Sequence, residues 1–301
     1  MYVESHSITN RAIERERIYI RHRVTEWQDN WPFHTHDGFE IYFFHEGQAH
    51  FIINREIYVL SPGDMLLFRG DVLHRPNPSR DVPYIRSYMN FSADYVREMV
   101  GADWHRQLMR LFANPNGLLV HWDEEEAAEI ERVFREMLRE QQEKAAGYEW
   151  MLQSMAAQLL IRILRKTERS GSLPAAVAPT RKERIVREIL AYLDEHYRSP
   201  VSLDMLEAHA HLNKYYICHC FKEVTGMSIR QYILRRRINE AKKLLWLTDE
   251  PVEALSERLG FGYPMHFSRM FKLMTGVSPR QYRQQARAAG KVPDSGREVS
   301  R

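Results

Sequence analysis

A segment that occurs twice near the C-terminus constrains the fold of this chain more than any other feature. Residues 221–232 read FKEVTGMSIRQY and residues 271–282 read FKLMTGVSPRQY, with eight of the twelve positions identical. Each copy runs from an aromatic residue into Thr-Gly, and glycine readily takes the left-handed conformation that ends a helix. The repeat therefore predicts two similar helical units.

Each unit is predicted to be a helix-turn-helix. In the first unit, a turn at residues 211–212 separates a short helix from a second helix over residues 214–224. In the second unit the turn lies at residues 260–262, and Pro264 takes the first position of the following helix, where its missing N–H costs nothing. An amphipathic helix over residues 229–247 is predicted to join the two units.

The start of the second helix of a helix-turn-helix enters the major groove of DNA, so its outward side chains are predicted to contact bases. Arginine pairs with guanine, and apolar side chains touch the methyl group of thymine. Basic residues near the following helix are predicted to hold phosphates. The predicted base contacts are Lys214, Tyr215, Cys218, His219 and Lys222 in the first unit and Met265, Ser268, Arg269 and Lys272 in the second, and the predicted phosphate contacts are Arg230 and Arg280.

The charge of the chain is distributed unevenly, in a way that favours a polyanionic partner. The formal net charge is only +3. Residues 181–301 carry 22 Lys and Arg against 14 Asp and Glu, a net of +8, whereas residues 1–180 carry a net of −5. The basic half is also the half with the repeat, as expected of a nucleic-acid-binding region.

The second copy and its surroundings closely resemble the signature of AraC/XylS-family transcription regulators. The matching stretch is residues 260–283, GFGYPMHFSRMFKLMTGVSPRQYR, and the resemblance extends over about residues 183–287. It implies that the two units contact consecutive major grooves of a promoter and that the protein activates transcription by touching RNA polymerase. By matching positions it assigns base contacts to Tyr215, Cys218 and His219 in the first unit, and to Pro264, Met265, Ser268 and Arg269 in the second.

The first unit departs from the family pattern at two positions. Glu207 stands where the family usually has alanine, at the crossing of two helices. Its side chain is therefore expected to find a polar partner or to tilt the helices. His219 stands where arginine is common, which predicts base contacts that are weaker or that depend on protonation of His219.

The N-terminal half is predicted to form a β-barrel or sandwich. Residues 39–45 and 50–54 are rich in aromatic and β-branched residues, and turn-forming residues separate such runs. Two amphipathic helices are predicted over about residues 123–142 and 148–167. Their apolar faces are expected either to cover the barrel or to pack against a second copy of the chain in a homodimer.

A set of histidine and carboxylate residues in this half resembles the two motifs of the cupin barrel. The set comprises His34, His36, Glu40 and His74. In cupin enzymes the matching positions bind a divalent metal, so the resemblance implies a site for manganese, iron or zinc. The second motif departs from the pattern, because Arg69 and Asp71 stand where proline and glycine are usual.

Three interpretations of this set stay open: a pocket for a small effector, a metal site, or remnants satisfied by backbone and water. The effector is preferred, because AraC-like proteins with such a barrel usually sense sugars or other small metabolites. Tyr42 shares a strand face with Glu40, and Arg86 and Tyr88 share a face on a later strand. The predicted ligand-binding residues are His34, His36, Glu40, Tyr42, His74 and Tyr88.

The chain is thus predicted to be a two-domain α+β protein, with a cupin-like barrel and two amphipathic helices followed by an all-α domain with two helix-turn-helix units. A ligand-sensing and dimerisation domain is predicted over residues 1–168, a linker over 169–180, a DNA-binding domain over 181–288 and a disordered tail over 289–301.

The predicted function is a non-enzymatic, sequence-specific transcription regulator, expected to activate when a small ligand such as a sugar binds. No cofactor is expected beyond that effector or a divalent metal. The expected partners are promoter DNA, RNA polymerase and a second copy of the chain.

A membrane is not expected, because no apolar run approaches the length of a span. The absence of a signal peptide and the scarcity of cysteine indicate the cytoplasm. The alternatives are a metal-binding cupin enzyme fused to a DNA-binding domain and a regulator that responds to no ligand.

Overall fold

The computed structural model describes residues 4–26, 32–170 and 179–288. The predicted two-domain α+β organisation is confirmed, since strands dominate the N-terminal half and helices the C-terminal half. The helix before the predicted linker ends at Ser170, two residues inside it, and the next helix begins at Arg181. Most of the predicted linker and the whole predicted tail lie outside the described residues.

Two antiparallel sheets form the barrel of the N-terminal half. The strands of the described residues are β1 (Ile18–Val24), β2 (Phe39–Glu46), β3 (Ala49–Ile53), β4 (Glu56–Leu60), β5 (Asp64–Arg69), β6 (His74–Pro78), β7 (Ile85–Phe91) and β8 (Leu118–His121). The larger sheet has the order β1-β7-β2-β5-β8, and the three-stranded sheet has the order β4-β3-β6. A backbone bridge between His34 and His74 places the segment around His34 beside β6.

Helices cover one side of the barrel. They are α1 (Glu4–Glu16), α2 (Arg97–Met109), a short 3-10 helix (Arg110–Phe112), α3 (Glu124–Glu143) and α4 (Tyr148–Ser170). Asp123 and Glu126 form a capping box that starts α3. The apolar faces of α3 and α4 join the larger sheet in one buried core, where Phe134 stacks on Phe43 at 6.3 Å between ring centroids. These faces therefore cover the barrel, and the homodimer stays a prediction.

Seven helices make up the described part of the C-terminal half. They are α5 (Arg181–His196), α6 (Leu203–Ala210), α7 (Lys214–Thr225), α8 (Ile229–Leu247), α9 (Val252–Arg258), α10 (Pro264–Thr275) and α11 (Pro279–Ala288). The first helix-turn-helix is α6 and α7, the second is α9 and α10, and α8 joins them. The two predicted units are confirmed.

The residues shared by the two copies end one helix and start the next. In the first copy Gly226, at φ 70°, terminates α7, and Thr225 Oγ1 donates to the carbonyl oxygen of Phe221 at 2.6 Å. Ser228 caps α8 through reciprocal hydrogen bonds with Gln231. The same roles recur fifty residues later at Phe271, Thr275, Gly276, Ser278 and Gln281. The repeat is therefore mainly a scaffold.

The three-stranded sheet packs its outer face on the first unit. Four barrel residues join the buried apolar cluster of α5, α7 and the start of α8, namely Phe33, Ile52, Ile57 and Leu73. The second unit has its own buried cluster, which is built around Leu255, Phe267 and Phe271. The barrel is thus part of the core of one unit.

Candidate ligand pocket and DNA-reading faces

A cavity of about 80 Å³ lies between the inner faces of the two sheets, and this cavity is called the pocket below. All six predicted ligand-binding residues line it, which are His34, His36, Glu40, Tyr42, His74 and Tyr88. Arg86, which the alternation of the sequence placed beside Tyr88, lines it as well. The structure therefore brings the predicted set together.

Glu40 is the centre of the polar part of the pocket. Its Oε2 accepts a hydrogen bond from His36 Nε2 at 2.7 Å and one from Asn90 Nδ2 at 2.9 Å. His74 Nε2 lies 3.9 Å from the same oxygen. Glu40 is only 8% exposed, and burying a carboxylate is costly unless such partners compensate it.

The three histidines of the pocket share one mode of anchoring. In each ring Nδ1 donates to a backbone carbonyl oxygen, at 2.8 to 3.0 Å, and the acceptors are Pro32 for His34, Asp37 for His36 and Val72 for His74. A neutral imidazole that donates from Nδ1 carries its lone pair on Nε2. The anchoring therefore leaves Nε2 as the atom that can bind a ligand or a metal, and in His36 this atom is already hydrogen bonded to Glu40.

The protonation states of His34 and His36 are driven apart. Burial alone would lower the pKa of His36, but the hydrogen bond and the charge of Glu40 outweigh burial and raise it. Burial, together with the charge of His36, lowers the pKa of His34 to about 4. The raised pKa favours the protonated form of His36 beside Glu40, whereas His34 is neutral at neutral pH.

Tyrosine hydroxyls and an arginine line the pocket wall that is formed by the same sheet as Glu40. The hydroxyl groups of Tyr42 and Tyr84 are hydrogen bonded to each other, and burial raises the pKa of both. The guanidinium of Arg86 lies 4.7 Å from the centre of the Tyr84 ring and donates to the carbonyl oxygens of Val24 and Glu26. This wall offers hydroxyl groups and aromatic faces for a polar ligand.

Sequence reasoning missed five lining residues, which are Thr9, Phe51, Pro76, Tyr84 and Asn90. Tyr84 and Asn90 continue the alternation of Arg86 and Tyr88 by one step at each end, so the same pattern could have found them. Thr9 comes from α1, a helix for which the sequence analysis made no prediction.

The donor set of the pocket fits a divalent metal in part. Among the described residues, His36, Glu40 and His74 offer ligand atoms that all lie within 4.8 Å of one another, and all three residues are buried. His34, the fourth predicted ligand, lies outside this group, although its ring centroid is 4.3 Å from that of His74. Two imidazoles and one carboxylate match the ligand preferences of zinc, iron or manganese.

The reading face of the first unit is partly engaged within the protein. Tyr215 is 77% exposed, whereas Cys218 is half-buried against the core of the unit. Lys214 Nζ donates to Asp204 at 2.7 Å, and His219 Nε2 lies 3.3 Å from Glu223. The two remaining predicted contacts of this unit, Lys222 and Arg230, are exposed.

Glu207 interacts with Lys214 only through its charge, so the polar partner or helix tilt expected for Glu207 stays a prediction. Its side chain is half-buried, and its charge adds to the effect of Asp204, which raises the pKa of Lys214.

The reading face of the second unit is more open. Met265 is 84% exposed, Pro264, Arg269 and Lys272 are exposed, and Ser268 is half-buried. Arg280, at the start of α11, lies 3.4 Å from Glu253, and both side chains are exposed. An exposed ion pair of this kind is weak, so Arg280 keeps its availability for a phosphate.

Two family models match the chain, an AraC-like ligand binding domain over residues 19–160 and a helix-turn-helix domain over residues 206–285. The chain belongs to the AraC/XylS family. As a member of this family it is a DNA-binding transcription regulator with an N-terminal sensing domain.

Similar proteins are found over the whole chain and over the DNA-binding half. The transcriptional activator RhaR of Escherichia coli O139:H28 (strain E24377A / ETEC) is 25% identical over 90% of this chain and 93% of its own length. The arabinose operon regulatory protein of Escherichia coli (strain K12) is 27% identical over 75% and 73%. The HTH-type transcriptional regulator YisR of Bacillus subtilis (strain 168) is 36% identical, but the match covers only 35% of this chain and 37% of that relative.

These relatives are transcription regulators by name. Among the helices of the described ranges, not one is long and apolar enough to cross a membrane.

Proposed function

We propose that this AraC/XylS-family regulator activates transcription in response to a small polyhydroxylated effector, such as a sugar, that binds in the pocket. The observation that carries the proposal is the polar network on Glu40, which holds a carboxylate, an imidazole and an amide between aromatic side chains. Carboxylate and amide groups hydrogen bond sugar hydroxyls, and aromatic faces pack on the apolar faces of a sugar ring. The names of two relatives, RhaR and the arabinose operon regulatory protein, support the same class of effector.

The DNA-binding half would read a promoter through both units. The proposed base contacts are Lys214, Tyr215, Cys218, His219 and Lys222 in the first unit and Pro264, Met265, Ser268, Arg269 and Lys272 in the second, with phosphate contacts at Arg230 and Arg280. The second unit is the stronger reader in this proposal, because Arg269 is exposed at the start of its reading helix while Lys214 and His219 have acidic neighbours.

A homodimer that contacts RNA polymerase completes the proposal. The start of α4 exposes Trp150 (62%) and Met151 (47%), and large apolar side chains that stay exposed mark interaction surfaces. Doubling a module with two reading units raises its effective affinity for a repeated promoter site.

Thermal unfolding and DNA binding test the proposal together. The melting temperature of the protein would be measured with a panel of pentoses, hexoses and their deoxy forms. Any sugar that stabilises the protein would then be added to a fluorescence anisotropy titration of the protein with the duplex from upstream of its own gene. Glu40→Gln is expected to abolish the stabilisation, because a neutral amide replaces the carboxylate that would accept hydrogen bonds from the effector's hydroxyl groups. Glu46→Gln, at the exposed end of the same strand, should retain it. Stabilisation by no compound, with unchanged DNA affinity, would favour a regulator without a ligand.

A divalent metal is the second candidate occupant of the pocket. The supporting observation is that His36 and His74 both donate from Nδ1 to backbone carbonyls, an arrangement typical of metal-bound histidines. His36, Glu40 and His74 would hold the ion, which would supply a Lewis acid to the pocket. A metal-dependent cupin enzyme fused to a DNA-binding domain would need the same ion.

Metal analysis of the purified protein separates this candidate from the first. About one zinc, iron or manganese ion per chain, lost in His36→Ala and kept in His209→Ala, would support the metal. Histidine 209 is a suitable control because it is exposed on α6, far from the pocket in sequence. Metal-free protein that binds DNA and responds to a sugar would remove the metal candidate.

A further inference from the structure

The three-stranded sheet has two faces with different partners. Phe51 of β3 and His74 and Pro76 of β6 point into the pocket. The residues next to them on the same strands point the other way. Ile52 of β3 and Leu73 just before β6 lie in the apolar cluster of the first helix-turn-helix unit. Successive side chains of a strand point to opposite faces, so one layer of backbone separates the pocket from the DNA-binding half.

The segment of residues 33–36 shows the same alternation. His34 and His36 line the pocket. Phe33 packs its ring edge-on to that of Tyr232, with 5.3 Å between centroids. Thr35 accepts a hydrogen bond from Lys242 Nζ of α8 at 2.9 Å. Hydrogen bonds between the backbones of His34 and His74 tie this segment to β6.

Asn77, the next outward residue of β6 after Arg75, holds the end of the reading helix α7. Its Nδ2 donates to the carbonyl oxygens of Glu223 and Val224, at 2.9 Å each. The last carbonyls of a helix have no partner within the helix, so this side chain acts as a C-terminal cap supplied by the barrel. The contact is close, since a Cβ on Gly226 would lie 2.5 Å from Asn77 Oδ1.

The second unit is built from the same scaffold but is held differently. The end of α10 is closed within its own unit, by Gly276 and by Thr275 Oγ1, which donates to the carbonyl oxygen of Phe271 at 2.8 Å. The apolar cluster of the second unit draws its buried members from residues 197–271. The repeat therefore supplies α10 as a copy of α7 whose last turn, among the described residues, accepts no hydrogen bond from the barrel.

We propose that residues 33–36 and β6 form a shared wall that couples the pocket to the first helix-turn-helix unit. A change in the pocket displaces the inward residues of the shared wall and, through the same backbone, the outward residues that hold α7 and α8. The first unit responds directly, and the second unit responds only through α8. The inference rests on the proposed function, because it takes the pocket as the effector site. By linkage, any change in the docking of the first unit alters the pocket in return.

The return direction can be tested without any effector. In full-length protein, nitrogen-15 NMR of the imidazole rings would report His34, His36 and His74. Lys242→Met, which removes the contact from α8 to Thr35, is expected to shift these resonances. Arg187→Met is the matched control, because Arg187 also joins the DNA-binding half to the three-stranded sheet. Its contacts are with Glu56 and with the carbonyl oxygen of Ile57, both on β4. This strand contributes no residue to the described pocket lining. Equal shifts in both variants, or none in either, would overturn the shared wall.

Amide hydrogen exchange tests the forward direction, with α10 as an internal reference. Asn77→Ala is expected to speed exchange in the last turn of α7 on the order of tenfold, since it removes two hydrogen bonds. Glu40→Gln, which alters the pocket alone, is expected to change exchange in the same turn by about fivefold, at the low end of typical coupling between sites. The last turn of α10 should change in neither variant. An equal change in both turns would mean general destabilisation and would reject the proposal.

These outcomes are separable from those of the proposed function, because both experiments use protein without effector. If no sugar binds but Glu40→Gln alters α7 and not α10, the shared wall stands and the effector class fails. If a sugar binds and neither experiment shows coupling, the effector site stands and the shared wall fails.

Discussion

Lys242 Nζ donates a hydrogen bond to Thr35 Oγ1 at 2.9 Å, which joins the helix between the two reading units to the segment that lines the pocket. Burial lowers the pKa of Lys242 to about 8, with nearby Asp37 opposing the shift and Lys243 adding to it. At neutral pH the buried ammonium group of Lys242 therefore lowers the free energy of unfolding.

The free energy of unfolding should consequently rise with pH because of Lys242. Below pH 8 the lysine is charged in both folded and unfolded chains and the cost of burying the charge is present in full. Between about pH 8 and its ordinary pKa of 10.5, only the unfolded chain keeps the proton, so the cost disappears. Denaturant unfolding of wild type and Lys242→Met from pH 7 to 10.5 should show wild type gaining on the order of 2 kcal/mol relative to the variant. Parallel pH profiles would contradict this.

Gly226→Ala should destabilise the protein more than Gly276→Ala. Both glycines end a reading helix at positive φ, so both substitutions pay a similar backbone cost of about 1 kcal/mol. A Cβ at position 226 would in addition lie 2.6 Å from Arg75 Nη2 and 2.5 Å from Asn77 Oδ1. Differential scanning calorimetry of the two variants measures the extra cost. Equal losses would show that the barrel yields freely at this contact.

Arg269→Ala should weaken specific DNA binding by about 1–3 kcal/mol and relax the preference at one base pair. The reason is that Arg269 is exposed on the first turns of α10, where a guanidinium can pair with guanine. Arg258→Ala removes the same charge from α9, where Arg258 is paired with Glu250 at 2.6 Å, and serves as the control. Sequence preference would be read by selection from a randomised duplex, and an unchanged preference in Arg269→Ala would remove it from the readers.

Binding should depend steeply on salt, with Lys272 contributing about one unit to the slope of log K against log salt. Lys272 is exposed on α10 and is one of the predicted DNA contacts, so its charge is expected to displace a counterion from the duplex. Anisotropy titrations at several salt concentrations should give a shallower slope for Lys272→Ala and an unaltered slope for Lys144→Ala, a barrel residue that pairs with Glu16. Equal slopes for wild type and Lys272→Ala would place Lys272 away from the DNA.

The two reading units were predictable because their signals are local. A helix stop such as Thr225-Gly226 and a capping box such as Ser228 with Gln231 act within four residues, and each appears twice. The pocket set was predictable for a related reason, since strand alternation groups Glu40 with Tyr42. The same alternation on β7 extends from Arg86 and Tyr88 to Tyr84 and Asn90, which the prediction left out.

The contact between the barrel and the first unit carries no such local signal. Asn77 and Lys242 are polar residues that would serve equally well on a solvated surface, and their partners lie 146 to 207 positions away in the chain. The apolar residue Ile52 reads as an ordinary residue of a buried strand, whichever element covers it. Only the three-dimensional packing tells that a DNA-binding helix, and not solvent, lies against this sheet.

The alternation of residues 33–36 would also restrict how this lineage could change the effector that is proposed for the pocket. A substitution that refits the pocket at His34 or His36 moves the backbone that positions Phe33 and Thr35 against α8. New chemical preferences are therefore acquired together with altered regulation, and compensating changes are expected on α8 and at the end of α7. Among the described residues no barrel side chain is hydrogen bonded to α10, so promoter choice by this reading helix is tied to the pocket only indirectly, through α8.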